Sequence, residues 1–252
     1  NERYVYWVTL RGQERMPTLS ASPLDVGSKL EESLFSRKKC VVLTSATLSV
    51  QGSMQYVKDR VGLASNDELD ELIVGSPFEY QKSALLLIPS VMPEPADVSY
   101  KRAVDDALIR VARASHGGVL ALFTSHVALR AARRGIKVAL EADGIKVLAQ
   151  GVDGSPGQIV RAAIADGNAV LLGTSSLWEG VDMPGDLLRV VVLARLPFSV
   201  PTDPVFVARS KQFVDPFHQY VVPEAVLRFR QGFGRLIRSK SDRGVVVILD
   251  QR

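Results

Sequence analysis

Short apolar, β-branched runs alternate along this chain with longer amphipathic stretches. The short runs are YVYWVTL (4–10), CVVLT (40–44), ALLLI (84–88), VLALFT (119–124), KVLAQ (146–150), AVLLGT (169–174), VVVLA (190–194) and VVVIL (245–249). Residues 24–35, 101–114, 126–141, 157–166, 203–213 and 223–239 carry the helical patterns between them. Strand-sized runs separated by helix-sized ones predict an α/β fold, a parallel sheet covered by crossover helices. The stretch from Tyr80 to Leu249 alone supplies about six such strands, enough for a complete doubly wound domain.

Residues 49–78 break this rhythm with Gly52, Gly62, Gly75, Pro77 and the acidic stretch NDELDEL at 66–72. They read as a junction. The predicted organisation is therefore 1–48 as the trailing part of another domain, 49–79 as the junction, and 80–252 as the main domain.

Composition narrows the class. Of 252 residues, 46% are hydrophobic and 23% charged, as in a folded globular protein rather than a disordered one. The longest apolar runs, such as SALLLIP at 83–89, fall far short of a membrane span, so no membrane partner is expected. No signal or transit sequence opens the chain, and a cytoplasmic location is the default expectation. Cys40 is the single cysteine; it excludes an internal disulfide and cannot by itself hold a metal or an iron–sulfur cluster. Preceding VVLT, it is expected to be a buried strand thiol. His116, His126 and His218 lack zinc-ligand spacing, and no metal site is expected.

A net charge of +4 permits a polyanionic partner without requiring one. Its distribution says more. Arg228, Arg230, Arg235, Arg238, Lys240 and Arg243 cluster around one acid, Asp242. Arg130, Arg133, Arg134 and Lys137 form a second, acid-free cluster, readable equally as a solvated helix face or as a polyanion surface.

Ligands of parallel α/β sheets collect at the carboxyl ends of the strands. Those ends are polar and small here: TSATL (44–48), TSH (124–126) and TSSLWEGVDMPGD (174–186). Ser and Thr cap helices routinely. Three such ends together suggest a surface that binds phosphates through hydroxyls and helix N-terminal amides. In WEGVD, Glu179 and Asp182 flank Gly180, which reads as an acidic helix start, an acid–base pair or a divalent-metal site.

Near the end of the chain, Gln231, Gly234, Arg235 and Arg238 form Q-x-x-G-R-x-x-R within QGFGRLIRS. Gly232 and Gly234 each cost a helix about 1 kcal/mol against alanine, so helix stability did not select them. On a helix running to residue 239, positions three apart share a face. Arg235 and Arg238 could then converge on one phosphate tail, each presenting a fixed fork of donors.

In this order, TSATL, GTSSLWEGVD and Q-x-x-G-R-x-x-R resemble motifs III, V and VI of superfamily 2 helicases. More narrowly, LWEGVDMPGDLLRVVVLARLPFSVPTDP and QGFGRLIRSKSDRGVVVILDQR resemble the DinG branch of the XPD-like helicases. The resemblance runs from about Pro23 to the C-terminus and is most specific from Gly173 onward. It implies a RecA-like domain of the P-loop NTPase type, ATP with Mg2+ as cofactors held mainly by a first motor domain, and single-stranded DNA as partner with 5′-to-3′ movement. It further implies roles for individual residues. Arg238 matches the arginine finger, Arg235 a second phosphate contact, and Gln231 a residue near the γ-phosphate and attacking water. Asp182 matches a carboxylate near the ribose, with Glu179 and Gly180 shaping its loop; Gly234 belongs to the same nucleotide-facing set. Thr124, Ser125, Thr174 and Ser175 match nucleic-acid backbone contacts, and Ser45 and Thr47 the element coupling hydrolysis to strand movement.

The chain departs from the family in having neither G-x-x-x-x-G-K-[ST] nor an acidic D-E-x-H box, so the phosphate cradle and magnesium ligand are missing. It therefore resembles the C-terminal half of the motor and is expected to be inactive alone. The rival reading is a non-catalytic nucleic-acid-binding module that kept a helicase fold. Gln231, Arg235, Arg238 and Asp182 argue against it, because a pure binder has no need of an arginine finger. A dinucleotide-binding enzyme is disfavoured, since no strand is followed by G-x-G-x-x-G.

Overall fold

The structure, a computed structural model, describes residues 3–252 except 12–15, 46, 67, 175, 176, 178–182, 184, 200 and 235, and excepting the side chains of residues 11, 186 and 233. In chain order the elements are β1 (Tyr4–Arg11), β2 (Met16–Pro23), α1 (Gly27–Ser33), α2 (Gln55–Val61), the single turn α3 (Tyr80–Ser83) and β3 (Ala84–Leu87). Next come α4 (Tyr100–Ala114), β4 (Val119–Leu122), α5 (His126–Ala142), β5 (Lys146–Ala149), α6 (Pro156–Asp166) and β6 (Ala169–Gly173). The last are β7 (Val190–Leu193), α7 (Pro204–Ser210), α8 (Val222–Phe233) and β8 (Gly244–Ile248). The chain divides into two units: Asn1–Gly75 with Phe198–Leu227, and Ser76–Pro197 with Arg228–Arg252.

The second unit carries a six-stranded sheet of order β3-β8-β7-β4-β6-β5, parallel at every pairing. Its α/β architecture is the one the alternating pattern predicts. Side chains alternate between faces along a strand, and here both faces are covered, so the central strands are apolar at every position. Ala121, Val170, Leu172 and Val192 pack with Leu108 of α4 and with Leu129, Ile136 and Leu140 of α5. Their neighbours Leu120, Leu171, Val191 and Val246 face the other way, toward Ile159 of α6 and toward Leu236 and Ile237. Helix ends follow local chemistry. Ser155 and Gln158 form a reciprocal capping box around Pro156 at the start of α6, satisfying N–H groups that no helical carbonyl reaches.

In the first unit, β1 and β2 pair antiparallel from Tyr4↔Pro23 to Arg11↔Met16. Strand β2 was not expected from MPTLSASP, whose prolines lack the N–H a central strand needs. It forms as an edge strand: among the described residues β1 alone pairs with it, in a two-stranded sheet. Helices α1 and α2 approach at Gly27 and Gly62, where a Cβ on Gly27 would stand 2.5 Å from the Gly62 Cα. Helix α2 lies within the stretch read as a junction. Arg60 of α2 reaches Glu224 at 3.1 Å and covers the Tyr220 ring at 5.2 Å. Arg209 of α7 donates to the carbonyls of Pro23 and Leu24 at 3.1 and 3.2 Å.

Three local expectations are corrected. CVVLT at 40–44 is not a strand, because none of the described residues pairs with it; Val42 is 80% exposed. Cys40 is exposed for the same reason. Helix α8 ends at Phe233 rather than at 239, because Leu236 and Ile237 turn into the core, where they are 3% and 2% exposed.

Candidate nucleotide and nucleic-acid site

Adjacent in the sheet, β4, β6 and β5 bring their carboxyl ends into a row. Phe123, following β4, donates its N–H to the Gly173 carbonyl at 2.8 Å, which sets Thr124 and Ser125 beside Thr174. Ser125 is the N-cap of α5, its Oγ accepting the Ala128 N–H at 3.2 Å. That bond uses an acceptor lone pair and leaves the hydroxyl proton available. Thr124 and Ser125 are exposed.

Thr174 is different. It is 6% exposed, and its N–H and hydroxyl both donate to Gln150 Oε1, at 2.9 and 3.2 Å. Its Oγ1 also lies 3.4 Å from His126 Nε2. Gly173 precedes it because a Cβ there would overlap the buried Leu177 side chain. Gln150 was missed in the sequence, although it directly follows β5 as Thr174 follows β6. A polar residue at the end of an apolar strand was the available signal.

Arg238 sits outside α8. Gly234 closes the last helical bond, its N–H donating to the Arg230 carbonyl at 2.9 Å. Beyond it, Leu236 packs against Gly244 so closely that a Cβ on Gly244 would overlap it. The half-buried Arg238 follows this anchor. Asp242 Oδ2 accepts the N–H groups of Arg238 and Ser239 at 2.8 and 2.9 Å, and its Oδ1 accepts the Ser239 hydroxyl at 2.6 Å. The Ser239 hydroxyl, aided by these two N–H groups, holds the Asp242 carboxyl below the usual carboxylate range. Arg238 is thus fixed by a side-chain-closed turn rather than by a shared helical face. Asp242 was counted in the sequence only as an acid within a basic cluster.

Gln231 lies half-buried on α8, and Gly234 is exposed. A Cβ on Gly234 would meet the Arg230 carbonyl of its own helix at 3.2 Å. Ser45 and Thr47, in the first unit, bond to each other: their hydroxyl oxygens are 3.1 Å apart, and the Thr47 N–H donates to Ser45 Oγ at 3.2 Å. Ser175, Glu179, Gly180, Asp182 and Arg235 lie outside the described residues. Among the described residues, no three His, Cys, Asp or Glu side chains form a group that could hold a metal ion. Likewise, no helix among them is long and apolar enough to cross a membrane.

The second unit thus joins a parallel sheet with hydroxyls at its carboxyl edge to an arginine-bearing turn after α8. Residues 108–252 match the helicase C-terminal domain family, and the chain belongs to that family. Within it the chain is DinG-like. It is 39% identical over 256 residues to the 3′-5′ exonuclease DinG of Bacillus subtilis (strain 168), covering 98% of this chain and 27% of that protein. It is 36% identical over 253 residues to the ATP-dependent DNA helicase YoaA of Escherichia coli (strain K12), covering 99% of this chain and 38% of that protein. The chain therefore spans well under half the length of these relatives. A solved XPD helicase structure superposes with a TM-score of 0.69 at 18% identity, covering 92% of this chain and 42% of that one, a likeness of fold.

Proposed function

We propose that this chain is the C-terminal motor part of an ATP-dependent DNA helicase that moves 5′ to 3′ on single-stranded DNA. The carrying observation is the arginine of Q-x-x-G-R-x-x-R, Arg238, held in a turn by Asp242 beyond a core-anchored Leu236–Ile237. Residues 1–48 serve as the end of the first motor domain, 49–79 as the junction and 80–252 as the second.

The donor chemistry present fits a nucleoside triphosphate: a guanidinium at Arg238 and a carboxamide at Gln231, with Arg235, Asp182, Glu179, Gly180 and Gly234 completing the nucleotide-facing set. ATP with Mg2+ supplies the transferable phosphoryl group, and the metal would be held mainly by the first motor domain. Phosphoryl transfer needs positioned positive charge more than covalent chemistry. Arg238 brings a planar fork of donors to the terminal phosphate and neutralises charge developing there. Gln231 orients the attacking water.

Thr124 and Ser125 hold the DNA backbone directly through exposed hydroxyls and the α5 N-terminus, together with Ser175. Thr174 acts through its bonds to Gln150 and its contact with His126. Ser45 and Thr47 couple hydrolysis to strand movement. Phosphate release is to be measured from the full-length protein and from this 252-residue chain, each with and without single-stranded DNA. DNA-stimulated turnover is expected only from the full-length protein. Clear turnover by this chain alone would sink the half-motor reading.

A further inference from the structure

Helix α5 presents Val127, Arg130, Arg134 and Val138 to solvent, positions three or four apart that share one face. Its opposite face, with Leu129, Ala132, Ile136 and Leu140, packs into the core. The other cations of this helix are paired. Arg133 meets Asp153 with both arms of its fork, at 2.8 and 2.6 Å, and Lys137 meets Glu141 one turn on. The acids around α5 are taken as well: Asp105 of α4 by Lys101, and Asp143 by Arg113. Asp106 of α4 is exposed and bonded to neither free arginine. Among the described residues, Arg130 and Arg134 form no ion pair and no hydrogen bond.

Helix energetics did not select that pair. Like charges four residues apart on a helix repel each other. A helix favours acids in its first turn and cations in its last, whereas α5 has neither, and its unpaired cations stand from the second turn to the middle. Positive charge therefore runs along the solvent face from the end where Thr124 and Ser125 expose their hydroxyls. Arg195 strengthens it there. It lines the same recess as Thr124 and Ser125, its Nη2 donating to the Pro95 carbonyl at 2.6 Å.

We propose that Arg130 and Arg134 carry the phosphate backbone of the single strand onward from Thr124 and Ser125, along the solvent face of α5. The proposal rests on the DNA-facing role of those two hydroxyls stated above. Four residues of helix rise about 6 Å, a step that lets the two guanidiniums meet neighbouring phosphates of an extended strand. Each fork can donate to two oxygens of one phosphate. Contacts of this kind carry no sequence information, so the track serves any base sequence. An acidic protein surface is the competing polyanion. The hydroxyls and free N–H groups at the head of the same face suit phosphate oxygens and favour the nucleic acid.

Full-length, nucleotide-free protein is to be titrated with a labelled single strand, and with a duplex of equal length, across a range of salt concentrations. Each phosphate contact to a single strand contributes about 0.7 to the slope of log affinity against log salt. Arg130→Gln combined with Arg134→Gln should therefore flatten that slope by about 1.4, and either change alone by about 0.7. Arg130→Lys with Arg134→Lys should keep the wild-type slope, because the charges remain. Arg161→Gln removes an exposed charge from α6, which packs on the other face of the sheet, and should leave the slope unchanged. An unchanged slope in the double glutamine variant would overturn the track along α5. Equal flattening by Arg161→Gln, or flattening with the duplex alone, would overturn it too. Thr124→Ala tests the underlying reading separately. Weakened single-strand binding there, beside an unchanged slope in the double variant, would remove the arginines and leave the hydroxyls in place; undiminished binding would remove the hydroxyls, and with them the start of the track.

Discussion

The backbone N–H of Arg238 donates to the Asp242 carboxylate at 2.8 Å, four residues along the chain. This bond fixes where the guanidinium arm begins, because the residues between them close a turn rather than continue α8.

Asp242→Ala in the full-length protein should therefore reduce DNA-stimulated ATP hydrolysis about tenfold to a hundredfold, since displacement by about 1 Å has that cost at a reacting centre. The effect should fall on kcat, with KM for ATP little changed. Asp242→Asn retains a carbonyl acceptor and should recover most of the rate. Steady-state phosphate release for the three proteins checks this.

Arg238 itself should be far less replaceable. Arginine fingers contribute on the order of 10³ to 10⁵ in turnover, so Arg238→Ala should nearly silence the motor. Arg238→Lys should not rescue it, because a point charge cannot reproduce the planar fork. DNA affinity and thermal stability should be retained in both variants. Parent-like turnover by Arg238→Ala would remove this arginine from the chemistry.

Ser125 caps α5, and its proposed contact with the DNA backbone is separable from that cap. Ser125→Ala should lose the cap on α5, costing about 1 kcal/mol and lowering Tm by about 2–4 °C for a chain of this size. Ser125→Asp retains a good N-cap and should keep the stability, while its charge should repel a phosphate backbone. Melting curves paired with oligonucleotide binding separate the two: stability should fall only for alanine, and DNA affinity most for aspartate. Binding of either kind should weaken steeply with salt.

Asp250 supplies a pH signature. It is 4% exposed, and burial, which alone would raise its carboxyl, is outweighed by the Arg252 guanidinium and the N–H groups of Leu196 and Arg252. The carboxyl therefore titrates below its unfolded value of about 3.9. A depressed carboxyl contributes stability that is fully present above the unfolded value and is lost as pH falls through the folded one. Asp250→Ala should cost about 2–3 kcal/mol near neutrality, and its deficit against the wild type should shrink as pH falls below about 4. Urea midpoints measured from pH 7 down to 3 test this.

The parallel sheet was readable in the sequence because its strands are covered on both faces, and a doubly buried strand such as Val190–Leu193 announces itself as an unbroken apolar run. Strand β2 was not, since MPTLSASP sits in a two-stranded hairpin and needs little apolar surface. CVVLT misled for the opposite reason: composition signals strand propensity, while a strand also needs a neighbour. The site divides similarly. The hydroxyls at Thr124 and Ser125 and the arginine at Arg238 are residue types that advertise phosphate chemistry. Gln150 and Asp242 act through long-range or turn geometry, which spacing alone does not reveal.

The sheet order places β8, which follows both in the chain, between β3 and β7. During synthesis, β3 has no partner among the described residues until residues 244–248 leave the ribosome, and the bare edge of β7 stays open for as long. Nascent chains of this protein thus carry an unfilled slot, flanked by the apolar runs ALLL and VVVL, until β8 closes it. A slot of that kind invites pairing with a neighbouring nascent chain. Translation pausing after β7 is made and before β8 is made should accordingly raise aggregation, and pausing before β3 should not.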